Sequence, residues 1–407
     1  MTLDSGRKEV FCAHPLEVIS LQAADNAGTL RSQLKAALQR LPQSPHLKDL
    51  SFRGGLAGFL GYDLVAKDHA PDFPRAWMGL YSSFLYIDHN KKTAEVIELP
   101  GFSDIAYKWK DLLRELNDGY APPSLPSFSL TSPFIALTSA DRYRQDFARI
   151  QQYLQDGDCY QVNYAQAFRA SARGSSASAM QRLLEISRPS HAAWLSLPEG
   201  DVLSLSPELF LKVEQGRITT KPIKGTAPRS ADPVTDEETA RALQASPKNR
   251  AENLMIVDLL RHDLSRHAET GSVRVEKLFE IESLPQVHHL VSTIIGNIKK
   301  ESHVIDLIMD SFPGGSITGA PKKRAMEIIA ELEPTPRSVY CGSIGFINGD
   351  GDCELNIAIR TLLRLGDDIY TWAGGGIVAD SACEAEYQEC FDKIGALMRT
   401  LEGMGQD

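Results

Sequence analysis

Several things are missing from the 407-residue chain. No two of its six cysteines (Cys12, Cys159, Cys341, Cys353, Cys383 and Cys390) stand at C-x-x-C spacing, so neither a zinc knuckle nor a dithiol redox motif is written in it. Scattered thiols in a chain of this length read as buried or idle groups of a reducing compartment. No apolar run approaches the ~18 residues of a membrane span. The first eleven residues carry Asp4, Arg7, Lys8 and Glu9 and hold no apolar leader core. A soluble, cytoplasmic protein with no membrane association is expected. Positive charge is also scarce: 43 Lys and Arg against 53 Asp and Glu leave a formal net charge of −10. That balance argues against a non-specific nucleic-acid binder, but local cations can still hold small anions. Internal repeats and low-complexity tracts are absent too.

What is present is globular. A chain with 43% hydrophobic, 24% charged and 8% aromatic residues can bury a sizeable core, in one large domain or two fused ones. Residues 119–133, with four prolines, read as a surface connection between an amino-terminal region (1–125) and a longer carboxy-terminal one (134–407). Before it, the run Phe52–Gly61 has glycines too dense for a helix and suggests strands with close backbone approaches. Tyr81–Ile87, Ile218–Lys224 and Ser343–Ile347 also read as strands. Three helices are predicted. One opens with Ser246 as N-cap and Pro247 at its first position and runs to about Arg266. The second starts at Pro321 and stops before Pro334. The last opens with a capping box, Ser381-Ala-Cys-Glu384, and runs to about Leu401. Strands and helices mix without a βαβ rhythm, which favours an α+β fold with mainly antiparallel sheets.

On the last helix one apolar stripe comprises Tyr387, Phe391, Ile394, Met398 and Leu401, while Glu386, Glu389 and Lys393 share another face. The first helix has Leu254, Val257, Leu260 and Leu264 as its stripe, with Glu252 pointing elsewhere. Such carboxylates form either a solvated face with intrahelical ion pairs or a set of oxygen donors for magnesium. The glycine-rich segment Phe312–Pro321 and the cluster Ala373–Val378 after an Ile369–Trp372 strand offer backbone N–H groups to an anion, or simply turns. In Thr219-Thr-Lys-Pro-Ile-Lys-Gly-Thr226, Pro222 implies a sheet edge, and Lys224 faces away from Lys221.

Pro222-Ile-Lys-Gly-Thr226 resembles a signature of the chorismate-utilising enzymes. Further blocks follow in family order: Asp158-Cys-Tyr-Gln-Val-Asn163, Ser204-Leu-Ser-Pro-Glu208, Ala251-Glu-Asn-Leu-Met-Ile-Val-Asp258 and Val287-His-His-Leu-Val-Ser292. Then come Phe312–Pro321, Ile357-Ala-Ile-Arg-Thr361, Gly374–Ser381 and Glu386-Tyr-Gln-Glu389. The resemblance covers about Phe52 to Lys393. It implies a large two-subdomain antiparallel β-sandwich flanked by helices. Within the family the anthranilate-forming branch typically has alanine where Lys224 stands, and the branch that aminates chorismate at C4 has lysine. The water-adding branches place their base lysine at the position of Gln161. The resemblance therefore implies amination of chorismate to 4-amino-4-deoxychorismate, in para-aminobenzoate and folate biosynthesis, through a covalent bond to Lys224. An anthranilate-forming subunit and a catalytically silent chorismate-binding subunit are the alternatives.

By the same resemblance Glu208 is the general acid, and Glu252, Glu386 and Glu389 hold Mg²⁺. Arg360, Tyr340 and the Gly375–Gly376 backbone take a carboxylate, with Lys393, Ser316, Thr226 and His289 completing the pocket. No cysteine sits in a Gly-x-Cys-x-Gly elbow, so ammonia is expected from solution or from a separate glutamine amidotransferase subunit. Three departures from the family pattern stand out: His262 within Arg-His-Asp, Glu354 in place of aspartate, and an amino-terminal end without the Leu-Leu-x-Ser-like element of a tryptophan pocket.

Overall fold

The computed structural model describes residues 2–4, 8–22, 25–42, 47, 49–66, 72–119, 124–187 and 189–404. Part of the proline-rich connection, residues 120–123, thus lies outside the described residues. The fold is α+β, with two large sheets in which every described strand pair is antiparallel. Along the twelve-stranded sheet run Gly319–Ala320, Gln161–Arg173, Asp368–Ile377, Thr361–Leu365, Asp201–Ser206 and His191–Ser196, followed by Thr2–Asp4, Lys8–Phe11, Ser83–Asp88 and Thr93–Glu98. The ten-stranded sheet runs Ile223–Pro228, Val287–Asn297, Arg217–Lys221, Leu209–Glu214, Cys353–Asn356, Ser343–Asn348, Gly55–Leu60, Ala76–Tyr81 and Glu17–Leu21. Both sheets therefore draw strands from either side of the proline-rich connection. One core cluster joins residues of both, among them Leu56, Tyr164, Leu195, Leu211, Ile294 and Leu355.

Three places where the chain leaves one sheet for the other organise the molecule. The Tyr81–Ile87 run is two strands, Ala76–Tyr81 and Ser83–Asp88, in different sheets, with the switch at buried Ser82. At Pro207-Glu208 the chain passes from the Asp201–Ser206 strand to Leu209–Glu214, and around Arg360 it returns from Cys353–Asn356 to Thr361–Leu365. The last two crossings are tied together. Ser206 Oγ donates to Ile357 O, Glu208 N donates to Ser206 Oγ at 3.2 Å, Ile357 N donates to Glu208 O at 3.0 Å, and Leu205 N donates to Arg360 O at 3.0 Å. Four bonds between two sharp passages fix where Glu208 and Arg360 can project.

The helices follow sequence cues in most respects. Ser246 caps the Pro247–Ser265 helix by accepting from Asn249 N, and Pro247 occupies its first turn. Pro321 precedes the Lys322–Leu332 helix. Three details differ from expectation. Leu254 is 50% exposed, and the buried side of its helix is Asn253, Ile256, Val257, Leu260, Asp263 and Leu264. The stripe is rotated because Asn253 Oδ1 accepts from buried Ser292 Oγ and draws that face onto the sheet. The Cys383–Gly403 helix has no side-chain cap. Ser381 Oγ instead donates to Glu386 Oε1 at 2.7 Å and accepts from Val378 N, so no capping box forms. Finally, Ala373–Ile377 is neither turn nor loop but the end of the Asp368–Ile377 strand, laddered to Gln161–Arg173.

Candidate active site

A cavity of about 700 Å³ opens where the crossings, the edge strand and two helices meet. Lys224 enters from the Ile223–Pro228 strand at the sheet edge, as Pro222 implied. The strand bulges between Ile223 and Thr226, and Gly225 sits at φ +96°, a conformation that glycine adopts without penalty. That twist turns Lys224 inward while Lys221 pairs outside with Glu282. The Lys224 ammonium donates to Ser316 O at 2.8 Å. Glu208, 4% exposed, lines the same cavity, with the Ser316 hydroxyl on its carboxylate.

Burial pushes the Glu208 carboxyl up, opposed by the Ser316 hydroxyl and the positive charge of Lys224. Burial pushes the Lys224 ammonium down, opposed by Glu208 and Glu252. Both shifts favour the neutral forms, an amine beside a carboxylic acid. That is the state a nucleophile and a proton donor need.

Arg360 reaches the cavity from a left-handed backbone (φ +50°), an uncommon conformation for a residue with a side chain. Its backbone is pinned by the Leu205 bond described above. Burial lowers its pKa, and among the described residues no carboxylate lies within ion-pair distance of it. A guanidinium held in this way is a receptor for an anion from outside the protein. Tyr340, stacked at 6.1 Å on Trp372, and Trp372 itself line the wall beside it.

His289 is 3% exposed, bonds Thr226 Oγ1 through Nδ1 at 2.8 Å, and has no partner for Nε2 among the described residues. Burial and the Arg360 charge lower its pKa to about 4 from 6.5. Between those values the unfolded chain binds a proton that the folded chain does not. His289 therefore contributes stability above pH 6.5 that is lost as pH falls to about 4. At roughly 1.4 kcal/mol per unit, the loss is about 3 kcal/mol. Urea denaturation at pH 7 and pH 4.5, which spans most of that loss, should show wild type losing roughly 2 kcal/mol more than His289→Gln. Equal losses would refute the neutral, buried imidazole.

Three carboxylates face the cavity from two helices, Glu252 from Pro247–Ser265 and Glu386 and Glu389 from Cys383–Gly403. A Cβ at Gly375 would stand 2.9 Å from Glu386 Oε2 and 3.5 Å from Glu389 Oε1, so both acids lean over one strand position. Gly376 lines the cavity as well, whereas Gly375 is covered by those two acids and does not. Glu386 is 3% exposed in its side chain and receives Lys248 at 3.4 Å; Glu389 pairs with Lys393 at 2.6 Å. Lys393 also donates to Gly374 O at 2.8 Å.

Among the described residues no three of His, Cys, Asp and Glu come close enough to hold a metal ion between them. The donor set nevertheless fits a hard dication, because all three are carboxylates. Burial raises Glu252, as does the negative charge of Glu386 and Glu389, and a bound dication would relieve that repulsion.

The structure thus gathers Lys224, Glu208, Thr226, His289, Ser316, Tyr340, Arg360, Gly376, Lys393, Glu252, Glu386 and Glu389 around one cavity and leaves Gly375 behind its wall. It adds Lys248, Asn163 and Trp372, which the sequence reading did not single out. For Lys248 a signal existed: it stands four residues, one turn, before Glu252. His262 is exposed, and Glu354 turns away to His191 and Lys212. A larger, more apolar cavity of about 900 Å³ lies behind the Phe312–Pro321 segment. Of its acids, Asp263, Asp310, Glu327 and Glu333 are already paired with Lys322, Arg31, Arg324 and Arg337, and Asp63 accepts from Ser338 N. No helix among the described residues is long and apolar enough to cross a membrane.

Residues 2–399 match the family model described as chorismate binding enzyme. Aminodeoxychorismate synthase component 1 of Klebsiella aerogenes is 45% identical over 95% of this chain and 85% of its own length. The Salmonella typhimurium (strain LT2) protein of the same name is 46% identical over 91% of this chain and 82% of its own. Among solved structures, anthranilate synthase component I from Streptococcus pneumoniae TIGR4 superposes with a TM-score of 0.85 at 28% identity, covering 97% of this chain and 92% of that one.

Proposed function

Because the chain belongs to the chorismate binding enzyme family, we propose that it aminates chorismate to 4-amino-4-deoxychorismate, with ammonia delivered by a separate glutamine amidotransferase subunit. The reaction would serve the route to para-aminobenzoate and folate. The observation that carries the reading is the half-buried amine of Lys224 beside the buried acid Glu208, in a cavity where the Arg360 guanidinium has no carboxylate partner among the described residues.

Neutral Lys224 adds at C2 of the ring; the two conjugated ring double bonds shift, to C1=C6 and C4=C5, and the C4–O bond breaks. Glu208 gives its proton to the departing hydroxyl, which leaves as water. Ammonia then forms the C4–N bond, both ring double bonds return to their original places, and the C2–N bond breaks to release Lys224 as a neutral amine. Glu208, now a carboxylate, takes the surplus proton from the new ammonium. Arg360 and Tyr340 hold the enolpyruvyl carboxylate, with Gly376, Ser316 and Lys393 around it. His289, neutral, packs near the ring with Thr226. Glu252, Glu386 and Glu389 would hold Mg²⁺, whose chemistry there is to bind the ring carboxylate and screen its charge.

Product identification tests the proposal. Protein, chorismate, magnesium and ammonium should give a product with hydroxyl exchanged for amine and the enolpyruvyl group retained, read by mass spectrometry. Fluorescent anthranilate with free pyruvate would place the enzyme in the other aminating branch.

A further inference from the structure

Lys224 lies in the field of Glu252 and Glu389, and two further ammonium groups touch the acidic cluster directly but differ in how they are held. Lys393 is fixed twice, by Glu389 one turn before it on the same helix and by Gly374 O. Lys248 is attached only loosely. Its side chain is 52% exposed, and the hydrogen bond it makes is to Glu386 Oε1 at 3.4 Å. That same oxygen already accepts Ser381 Oγ at 2.7 Å. Lys248 also lies in the first turn of its helix, one turn before Glu252, so its ammonium sits at the mouth of the cavity in the field of Glu386, Glu252 and Glu389.

A dication approaching Glu252 and Glu386 meets this ammonium at contact distance. Two cations cannot share one carboxylate oxygen in a partly dry site without strong repulsion. Lys393 has a second anchor and Glu386 is buried, so the group free to leave is Lys248, whose stem opens on solvent.

We propose that Lys248 is the resident counter-ion of the three acids, and that a divalent metal enters by displacing its ammonium from Glu386. The inference rests on the metal assignment made above and adds a residue that sets how tightly the metal is taken. Lys248 keeps the acids from repelling one another in the metal-free protein, at the cost of weaker metal binding.

The experiment is Mn²⁺ binding to the purified full chain, followed by the electron paramagnetic resonance signal of free Mn²⁺, with no turnover involved. Lys248→Met keeps the length of the stem and removes the charge; it should bind Mn²⁺ about tenfold more tightly, the effect of one partly screened charge. Lys248→Arg keeps the charge and should stay within about threefold of wild type. Circular dichroism checks that both variants fold. Equal affinity in Lys248→Met and wild type, or weaker binding in Lys248→Met, overturns the counter-ion role while leaving the metal assignment standing. No Mn²⁺ binding by wild type removes both.

Discussion

Lys224→Ala is expected to lower ammonia-dependent amination of chorismate by at least about a thousandfold, because it removes the nucleophile of the proposed covalent step. The size of the effect follows from how much the protein does to that one amine. With ordinary pKa values near 10.4 and 4.3, an independent lysine and glutamate would both be neutral at pH 7 in only about one molecule in a million. Each unit by which burial lowers Lys224 or raises Glu208 gains about tenfold in that fraction. Both groups shift in the required direction. The signs also predict the pH profile. Activity requires Lys224 to have lost its proton and Glu208 to have kept its own, and lowering the first while raising the second enlarges that doubly neutral population around neutral pH. As a coupled pair they give two macroscopic values. Lys224→Ala leaves Glu208 its Ser316 hydroxyl, and circular dichroism checks that the variant folds. Intact-mass analysis of quenched wild type should find an adduct on Lys224, absent from the variant. A variant within tenfold of wild type would end the covalent proposal.

How much of this was legible in the sequence varies by residue. Lys224 at a sheet edge followed from Pro222, and the start of the Pro247–Ser265 helix followed from Ser246 and Pro247, because both are local backbone rules. The α+β fold and the similarity to chorismate-utilising enzymes were readable from the motif blocks, and both stand. Non-local features were not. That Ser206 ties the Glu208 crossing to Ile357, 151 positions away in sequence, leaves no periodic trace. Leu254 matched the apolar spacing of its helix, yet a single Asn253–Ser292 hydrogen bond rotated the buried face. The capping box failed for a similar reason: Ser381 had a stronger call on it from the buried Glu386 carboxylate than from its own helix. Several helices, including Pro233–Ala245 and Ala140–Gln155, were missed because their apolar faces are short or interrupted by charge.

Arg337→Met is expected to cost about 3–5 kcal/mol of stability, a large share of what a protein of this kind has to lose. The Arg337 side chain is 1% exposed. It donates to Glu333 at 2.8 and 2.7 Å, to Ile317 O at 2.9 Å and to Asn163 O at 2.6 Å, and its guanidinium lies 4.6 Å from the Tyr62 ring. Methionine fills much of the volume but leaves the Glu333 carboxylate, 6% exposed, without a counter-charge. Two carbonyls lose their donor as well. The damage would not stay in the core, because Ile317 and Asn163 line the reactive cavity and Tyr340 stacks near the same guanidinium at 6.0 Å. Activity with ammonium should therefore fall along with stability. Arg337→Lys should rescue little, since one ammonium cannot reproduce a planar fork spanning four bonds. Arg337→Met with Glu333→Gln should recover part of the stability, because the unpaired charge, rather than the lost bonds, is the larger penalty. Glutamine can still accept from Ala165 N, as Glu333 Oε1 does at 2.8 Å. Denaturant titrations of the two single variants and the double variant decide it. If the double variant is less stable than Arg337→Met, the hydrogen bonds and not the charge hold this wall.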